Sequence, residues 1–204
     1  MLLHQNLEKY ADTTPDHLFS EFKGIKRTYR EANIIANQIA NSFLAEGLKK
    51  GDRFSFLAKN CDEMAIMYHA ASKVGVVPVP LNYRLANQEW EYIINDSQSK
   101  LMMVRDDEFI SRVNSFRKNL HSVKKYISIK SNEELDNWTN LNDWIEGKDK
   151  DNLNQDITDD DDVYQMYTSG TTGLPKGAII LQRNVAANTE QYFDRLVLPI
   201  PPRT

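Results

Sequence analysis

Tyr167-Thr168-Ser169-Gly170-Thr171-Thr172-Gly173-Leu174-Pro175-Lys176-Gly177 is the stretch on which the reading of this chain turns. It lies between two short apolar runs, residues 163–167 (with Gln165 in the middle) and residues 178–181, both of which read as strands. Its glycines allow backbone amides to turn inward without a Cβ in the way. Successive inward N–H groups form a concavity that binds anions. The hydroxyls of Thr168, Ser169, Thr171 and Thr172 add donors around it, and Lys176 adds a mobile point charge suited to phosphate. Together these are the requirements of a polyphosphate clamp.

The stretch is not a Walker loop. That pattern needs Gly immediately before its Lys and Ser or Thr after it. Here Pro175 precedes Lys176 and Gly177 follows. The loop also joins two predicted strands, where a P-loop or a dinucleotide-binding turn opens a helix. Composition alone would equally suit a plain Gly/Thr-rich turn.

Upstream, strands alternate with helices. Thr28-Tyr29-Arg30-Glu31 has capping-box spacing and is the first clear element start. Ile34, Ile35, Ile39, Phe43 and Leu44 follow at helical spacing, and Gly47 suits a helix stop. A strand is predicted over 54–57. Asn60-Cys61-Asp62-Glu63 then reads as a capped helix start with early acids. Gly75 ends that helix, and a strand over 76–79 is expected to stop at Pro80. Residues 87–96 and 107–120 read as helices, and 101–104 and 126–129 as strands. The expected fold class is therefore α/β: a parallel βαβ sheet with flanking helices.

Residues 131–162 differ in texture, being rich in Asn, Asp, Glu and Lys and ending in the unbroken acidic run 159–162. Trp138, Leu141, Trp144 and Ile145 are expected to pin part of this loop to the body. The acidic run has the hard oxygen ligands a divalent cation takes. A solvated surface loop is the expected reading, because clustered like charges repel.

Bulk properties exclude several classes. The chain has 204 residues, a formal net charge of -4, 41% hydrophobic and 26% charged residues, a globular composition. Mild acidity gives no electrostatic footprint for nucleic acid. Cys61 is the single cysteine, so no disulfide can form within the chain and a reducing, cytoplasmic location is expected. No apolar run approaches the roughly 20 residues of a transmembrane helix. The start carries Glu8 and lacks a basic-then-apolar stretch, so no secretory signal is expected. His4, His17, His69 and His121 are scattered without metal-ligand spacing. His69 reads as an ordinary helix residue, and Cys61 as a packing or capping one.

The ordered string 167–177 closely resembles the signature loop of the adenylate-forming superfamily, which includes acyl-CoA synthetases, luciferases and peptide-synthetase adenylation domains. Thr28-Tyr29-Arg30-Glu31, Gly51-Asp52-Arg53, Asn60-Cys61 with Glu63, and 75–82 with Arg84, Glu89 and 92–94 resemble further motifs of that family. Pro80-Leu81-Asn82 followed by Arg84 is more similar to acyl- or aryl-CoA synthetases than to peptide-synthetase domains. Gln165 departs from an aliphatic residue usual there, and Leu181-Gln182-Arg183-Asn184 stands where Thr-His is common.

The resemblance implies an AMP-forming acid–thiol ligase. A carboxylate (fatty or aryl acid) attacks the ATP α-phosphate, and a thiol, usually coenzyme A, then displaces AMP. It implies that Thr168, Ser169, Gly170, Thr171, Thr172, Gly173 and Lys176 bind ATP phosphates. Thr172 or Thr168 would position Mg²⁺ or a phosphate oxygen. It also implies that residues 1–204 are a partial N-terminal domain. The adenine pocket, the C-terminal lid domain and its adenylation lysine would lie outside, which leaves the catalytic residues unknown. The proline-rich ending reads as a truncated or split frame. The expectation is a fragment inactive in ATP–pyrophosphate exchange, with an exposed apolar face; the alternative is a stand-alone binding module complemented by a separate C-terminal fragment.

Overall fold

The computed structural model describes residues 1–131, 136–168 and 173–195. Its body is a five-stranded parallel sheet in the order β4-β3-β5-β6-β7. The strands are β3 (Arg53–Leu57), β4 (Val77–Leu81), β5 (Leu101–Arg105), β6 (Lys125–Ile129) and the short β7 (Thr139–Asn140). The crossover helices are α3 (Asp62–Val74), α4 (Asn87–Asp96) and α5 (Asp107–Phe116). Strand alternation sorts the side chains between two faces. Phe54, Phe56, Leu101, Met103, Ile127 and Ile129 pack with α2 (Tyr29–Ala45), α3 and α6 (Leu141–Ile145). Leu57, Met102, Val104 and Tyr126 pack on the opposite side with α4 and α5. Burial on both faces is why these strands read as nearly continuous apolar runs.

The box at Thr28 forms as its spacing predicts. Glu31 N donates to Thr28 Oγ1 at 3.2 Å, and Thr28 N donates to Glu31 Oε2 at 2.8 Å. Gly47 and Gly75 take φ of 78° and 68°, the left-handed values a helix stop demands.

Four expectations change. The first element is not at Thr28: α1 (Leu3–Thr13) and a hairpin of β1 (Leu18–Phe22) and β2 (Ile25–Thr28) precede it. Within α1 only His4 and Leu7 are buried, too few for a visible apolar stripe. The hairpin turns on Lys23-Gly24, both at positive φ, as a two-residue primed turn requires.

The strand expected to end before Pro80 runs on to Leu81. Val77 N donates to Asp52 O at 2.8 Å, so the odd-numbered amides of β4 face β3. Pro78 and Pro80 then face the outer side of an edge strand, where a missing N–H breaks no ladder bond.

The second helix starts at Asp62, and Cys61 at its N-cap makes no side-chain capping bond. Its acids are buried in ion pairs: Asp62 with Arg27 at 2.5 Å, and Glu63 with Lys130 at 2.9 Å and Arg105 at 3.4 Å. The helix expected over 107–120 stops at Phe116 and tightens into a 3-10 turn over Arg117–Asn119.

In the acidic segment Leu141 and Trp144 are buried, and Trp144 stacks edge-on against Phe43 at 5.4 Å. Trp138 packs edge-on against Tyr126. Within the run 159–162, Asp161 pairs with Lys50 at 2.7 Å and Asp160 with Arg183. Among the described residues, no group of three His, Cys, Asp or Glu side chains is placed to hold a metal ion, and no helix is long and apolar enough to cross a membrane.

Candidate functional site

The Gly/Thr stretch closes a second, two-stranded unit made of β8 (Asp162–Thr168) and β9 (Lys176–Leu181). They pair antiparallel with Tyr167 opposite Gly177 and Thr168 opposite Lys176. Beyond β9 the chain enters α7 (Gln182–Arg195). The register sets a hydroxyl residue and a lysine directly across from each other at the loop end of the hairpin, where both are exposed. Of the residues implicated from the sequence, Thr168, Gly173 and Lys176 are thus located. Ser169, Gly170, Thr171 and Thr172 lie outside the described residues.

Of the two described glycines in this stretch, the structure demands glycine at one. Gly173 is exposed, and a Cβ there would meet open space. At Gly177 a Cβ would overlap the Gln165 side-chain amide and come within 3.0 Å of the Tyr167 ring. The steric demand therefore falls one residue pair in from the loop.

Polar contacts tie the loop end of the hairpin to α4. Tyr167 Oη donates to Asp96 Oδ2 at 2.6 Å, and Gln165 Nε2 donates to Tyr167 Oη at 3.2 Å. Tyr92 Oη donates to the Pro175 carbonyl at 3.3 Å. Burial, and then the hydrogen bond and charge of Asp96, push the Tyr167 phenol up from its ordinary value and hold it protonated. Sequence reading had Tyr92 only as part of the family-like motif 92–94 and missed Asp96. Their spacing of four on a predicted helix was the available signal, since it puts both on one face.

The residues that depart from the family pattern do structural work. Gln165 is buried beneath Gly177. Gln182 is also buried: its Nε2 donates to Ser72 Oγ at 2.8 Å, and its Oε1 accepts from Leu3 N at 3.1 Å. Asn184 accepts from Leu181 N at 2.9 Å. Beside Gln182, His4 Nδ1 lies 2.9 Å from Ser72 Oγ. The Lys73 side chain there is fully buried against Glu8.

Other candidates do not join the hairpin. Burial pushes the Cys61 thiol up to about 12, so it is no thiolate at neutral pH. A cavity of about 270 Å³, walled by Ile35, Ile66, Ile129 and Ile145 with Arg27 and Lys130 among its polar lining residues, takes none of its lining from β8 or β9.

The chain is similar to known proteins in both sequence and fold. The sequence model of a family described as "AMP-binding enzyme" matches residues 7–201. The long-chain-fatty-acid–CoA ligase FadD13 of Mycobacterium tuberculosis is 31% identical across 96% of this chain and 37% of its own length. The fatty acid–[acyl-carrier-protein] ligase ScoC of Streptomyces coeruleorubidus is 31% identical across 91% of this chain and 35% of its own length. The fold superposes on the anthranilate CoA ligase AuaEII, solved in complex with anthranoyl-AMP, with a TM-score of 0.90 at 22% identity, covering 96% of this chain and 37% of that one. The chain thus spans a little over a third of the length of the relatives it matches.

Proposed function

The chain belongs to the AMP-binding enzyme family, and from that premise we propose that it contributes the phosphate-binding wall of an acid–thiol ligase. The observation that carries this reading is the pairing of Thr168 with Lys176 at the loop end of the β8–β9 hairpin. A polyphosphate seated there meets a hydroxyl donor on one strand and an ammonium on the other. Hydrogen bonds to charged groups contribute roughly 1.5–3 kcal/mol each. Negative charge that gathers on the departing phosphates is stabilised most by donors already in place.

The proposed reaction joins a fatty or aryl carboxylate to the ATP α-phosphorus, releasing pyrophosphate. A thiol of coenzyme A or of a carrier protein then takes the acyl group and releases AMP. Relatives that act on either kind of thiol match this chain equally well. Residues 168–176 are assigned the β- and γ-phosphates, including Ser169, Gly170, Thr171 and Thr172. The described residues do not form a carboxylate set for Mg²⁺, so the ion is proposed only as the companion of the nucleotide, and no step is routed through it. Residues 1–204 are proposed as one part of the large domain. The single Cys61 fits a reducing compartment, and the cytoplasm is the proposed location.

Lys176→Ala tests the reading directly. Titrated with inorganic tripolyphosphate and with ATP by calorimetry, the variant is expected to bind about tenfold more weakly than the parent, the change that 1.4 kcal/mol produces. Its thermal midpoint should not move, because Lys176 is exposed. Equal affinity in parent and variant would remove Lys176 from the site and overturn the assignment.

A further inference from the structure

Resting on that reading, we propose that Asp96 and Tyr92 of α4, together with Tyr167, form a clamp that fixes both ends of the Gly/Thr loop, with Asp96 as its positioning residue. Tyr167 stands one residue before the entry to the loop, and Pro175 is the last residue before β9. Each end therefore has one tie to α4: Tyr167 Oη to Asp96 Oδ2 at 2.6 Å, and Tyr92 Oη to the Pro175 carbonyl at 3.3 Å. Tyr92 and Asp96 are one helical turn apart, so one rigid face of α4 holds both. The opposite face of α4 is anchored by buried Trp90 and Ile94.

The bond to Asp96 has the length of a charge-assisted O–H···O⁻ contact, the strong class. Gln165 Nε2 donates to the same phenol oxygen, which thus donates once and accepts once. A two-stranded hairpin is marginal by itself in water. Here β8 packs along β4, and the Tyr167 ring lies against the apolar cluster that includes Trp90, which seats the hairpin on the body. The ladder sets the register of Thr168 and Lys176, and hydrogen bonds are what orient the loop end. A binding constellation must be held within about 0.5 Å to work, which demands supporting contacts from rigid elements. The α4 clamp supplies them without touching the phosphates itself.

The test uses the complete 204-residue chain with Tyr167→Phe, which deletes one oxygen and keeps the ring, and Asp96→Asn, which keeps the acceptor but loses its charge. Two readouts are taken: calorimetric titration with inorganic tripolyphosphate, and hydrogen exchange of the amides from Thr168 to Gly177. Tyr167→Phe is expected to weaken tripolyphosphate binding about tenfold and to speed loop exchange by a similar factor, with the thermal midpoint moving by no more than about 2 °C. Asp96→Asn should fall between the parent and Tyr167→Phe in both readouts, and it serves as the deciding variant if Tyr167→Phe does not fold. The clamp alone is overturned if Tyr167→Phe binds and exchanges like the parent while Lys176→Ala loses affinity. If Lys176→Ala also binds like the parent, the phosphate assignment falls, and the exchange arm decides the clamp by itself: faster loop exchange in Tyr167→Phe supports it, and unchanged exchange overturns it.

Discussion

In β5 every residue from Leu101 to Arg105 is buried, whereas in β9 the first four residues, from Lys176 to Ile179, are exposed. The first strand has partners on both edges and helices on both faces. The second has one strand partner among the described residues, and apolar Met166 and Ile179 stand at 47% and 45% exposure. The body is thus held by burial on both faces, and the loop end of the hairpin by backbone pairing, the packing of the Tyr167 ring and a few polar ties to α4. That contrast suits the proposed task. A phosphate-binding edge has to stay open to an anion, so it cannot be stabilised by covering it with apolar surface.

The largest expected effect probes the body. Phe43 is fully buried, with its ring 4.8 Å from Phe54 and 5.4 Å from Trp144. Phe43→Ala is expected to lower the urea unfolding free energy by about 4 kcal/mol, through lost transfer energy and the cavity left behind. Amide exchange in the hairpin under native conditions should hold. A loss below about 1 kcal/mol would show that this face of the sheet is not tightly packed.

The next effect is of pH on the N-terminal seam of the body. Burial, with smaller contributions from the charges of Lys73 and His4, lowers the His69 pKa from 6.5 to about 4, against a hydrogen bond with the Leu3 backbone that raises it. The unfolded chain therefore binds a proton at His69 in a range where the folded chain does not. The stability is complete above 6.5 and is lost as pH falls from 6.5 toward 4. Urea titrations at pH 7.5 and pH 5 should differ by about 2 kcal/mol, and His69→Gln should flatten that dependence. An equally steep loss in His69→Gln would assign the effect to other groups in the seam.

The smallest effect probes the hairpin. Gly177→Ala drives a methyl into the Gln165 amide and the Tyr167 ring. A global loss of only about 1 kcal/mol is expected, the low end for overpacking, because Gln165 can swing away. Loop exchange should nevertheless rise, since that swing breaks its bond to Tyr167. Adding Gln165→Ala should relieve the overlap and recover the lost stability. If Gly177→Ala instead cost as much as Phe43→Ala, the hairpin would be part of the cooperative core and the contrast would fail.

The legibility of the chain divides along the same line. The helix start at Thr28, the stops at Gly47 and Gly75 and four of the five strands of the parallel sheet could be read because each rests on local chemistry or on a strong apolar run; β7, two polar residues inside the acidic segment, could not. Helix α1 could not, since its Lys73–Glu8 and His4–Ser72 contacts join residues far apart in the chain. In the candidate site, the residue types from Thr168 to Lys176 were legible as phosphate chemistry. Asp96 was not, because a carboxylate on an amphipathic helix looks the same whether it faces solvent or a tyrosine on a distant strand.

By itself, then, the amino-acid order determined the α/β alternation, the family resemblance and the set of functional groups in the loop on which the phosphate proposal rests. All three follow from backbone preference, side-chain period and functional groups within a few residues of one another. Tertiary structure alone decided the strand order β4-β3-β5-β6-β7, the continuation of β4 through its prolines at a sheet edge and the attachment of the loop to α4. These depend on which distant surfaces meet. Non-local pairing is settled by the simultaneous burial of many side chains, and no local window of sequence contains that information.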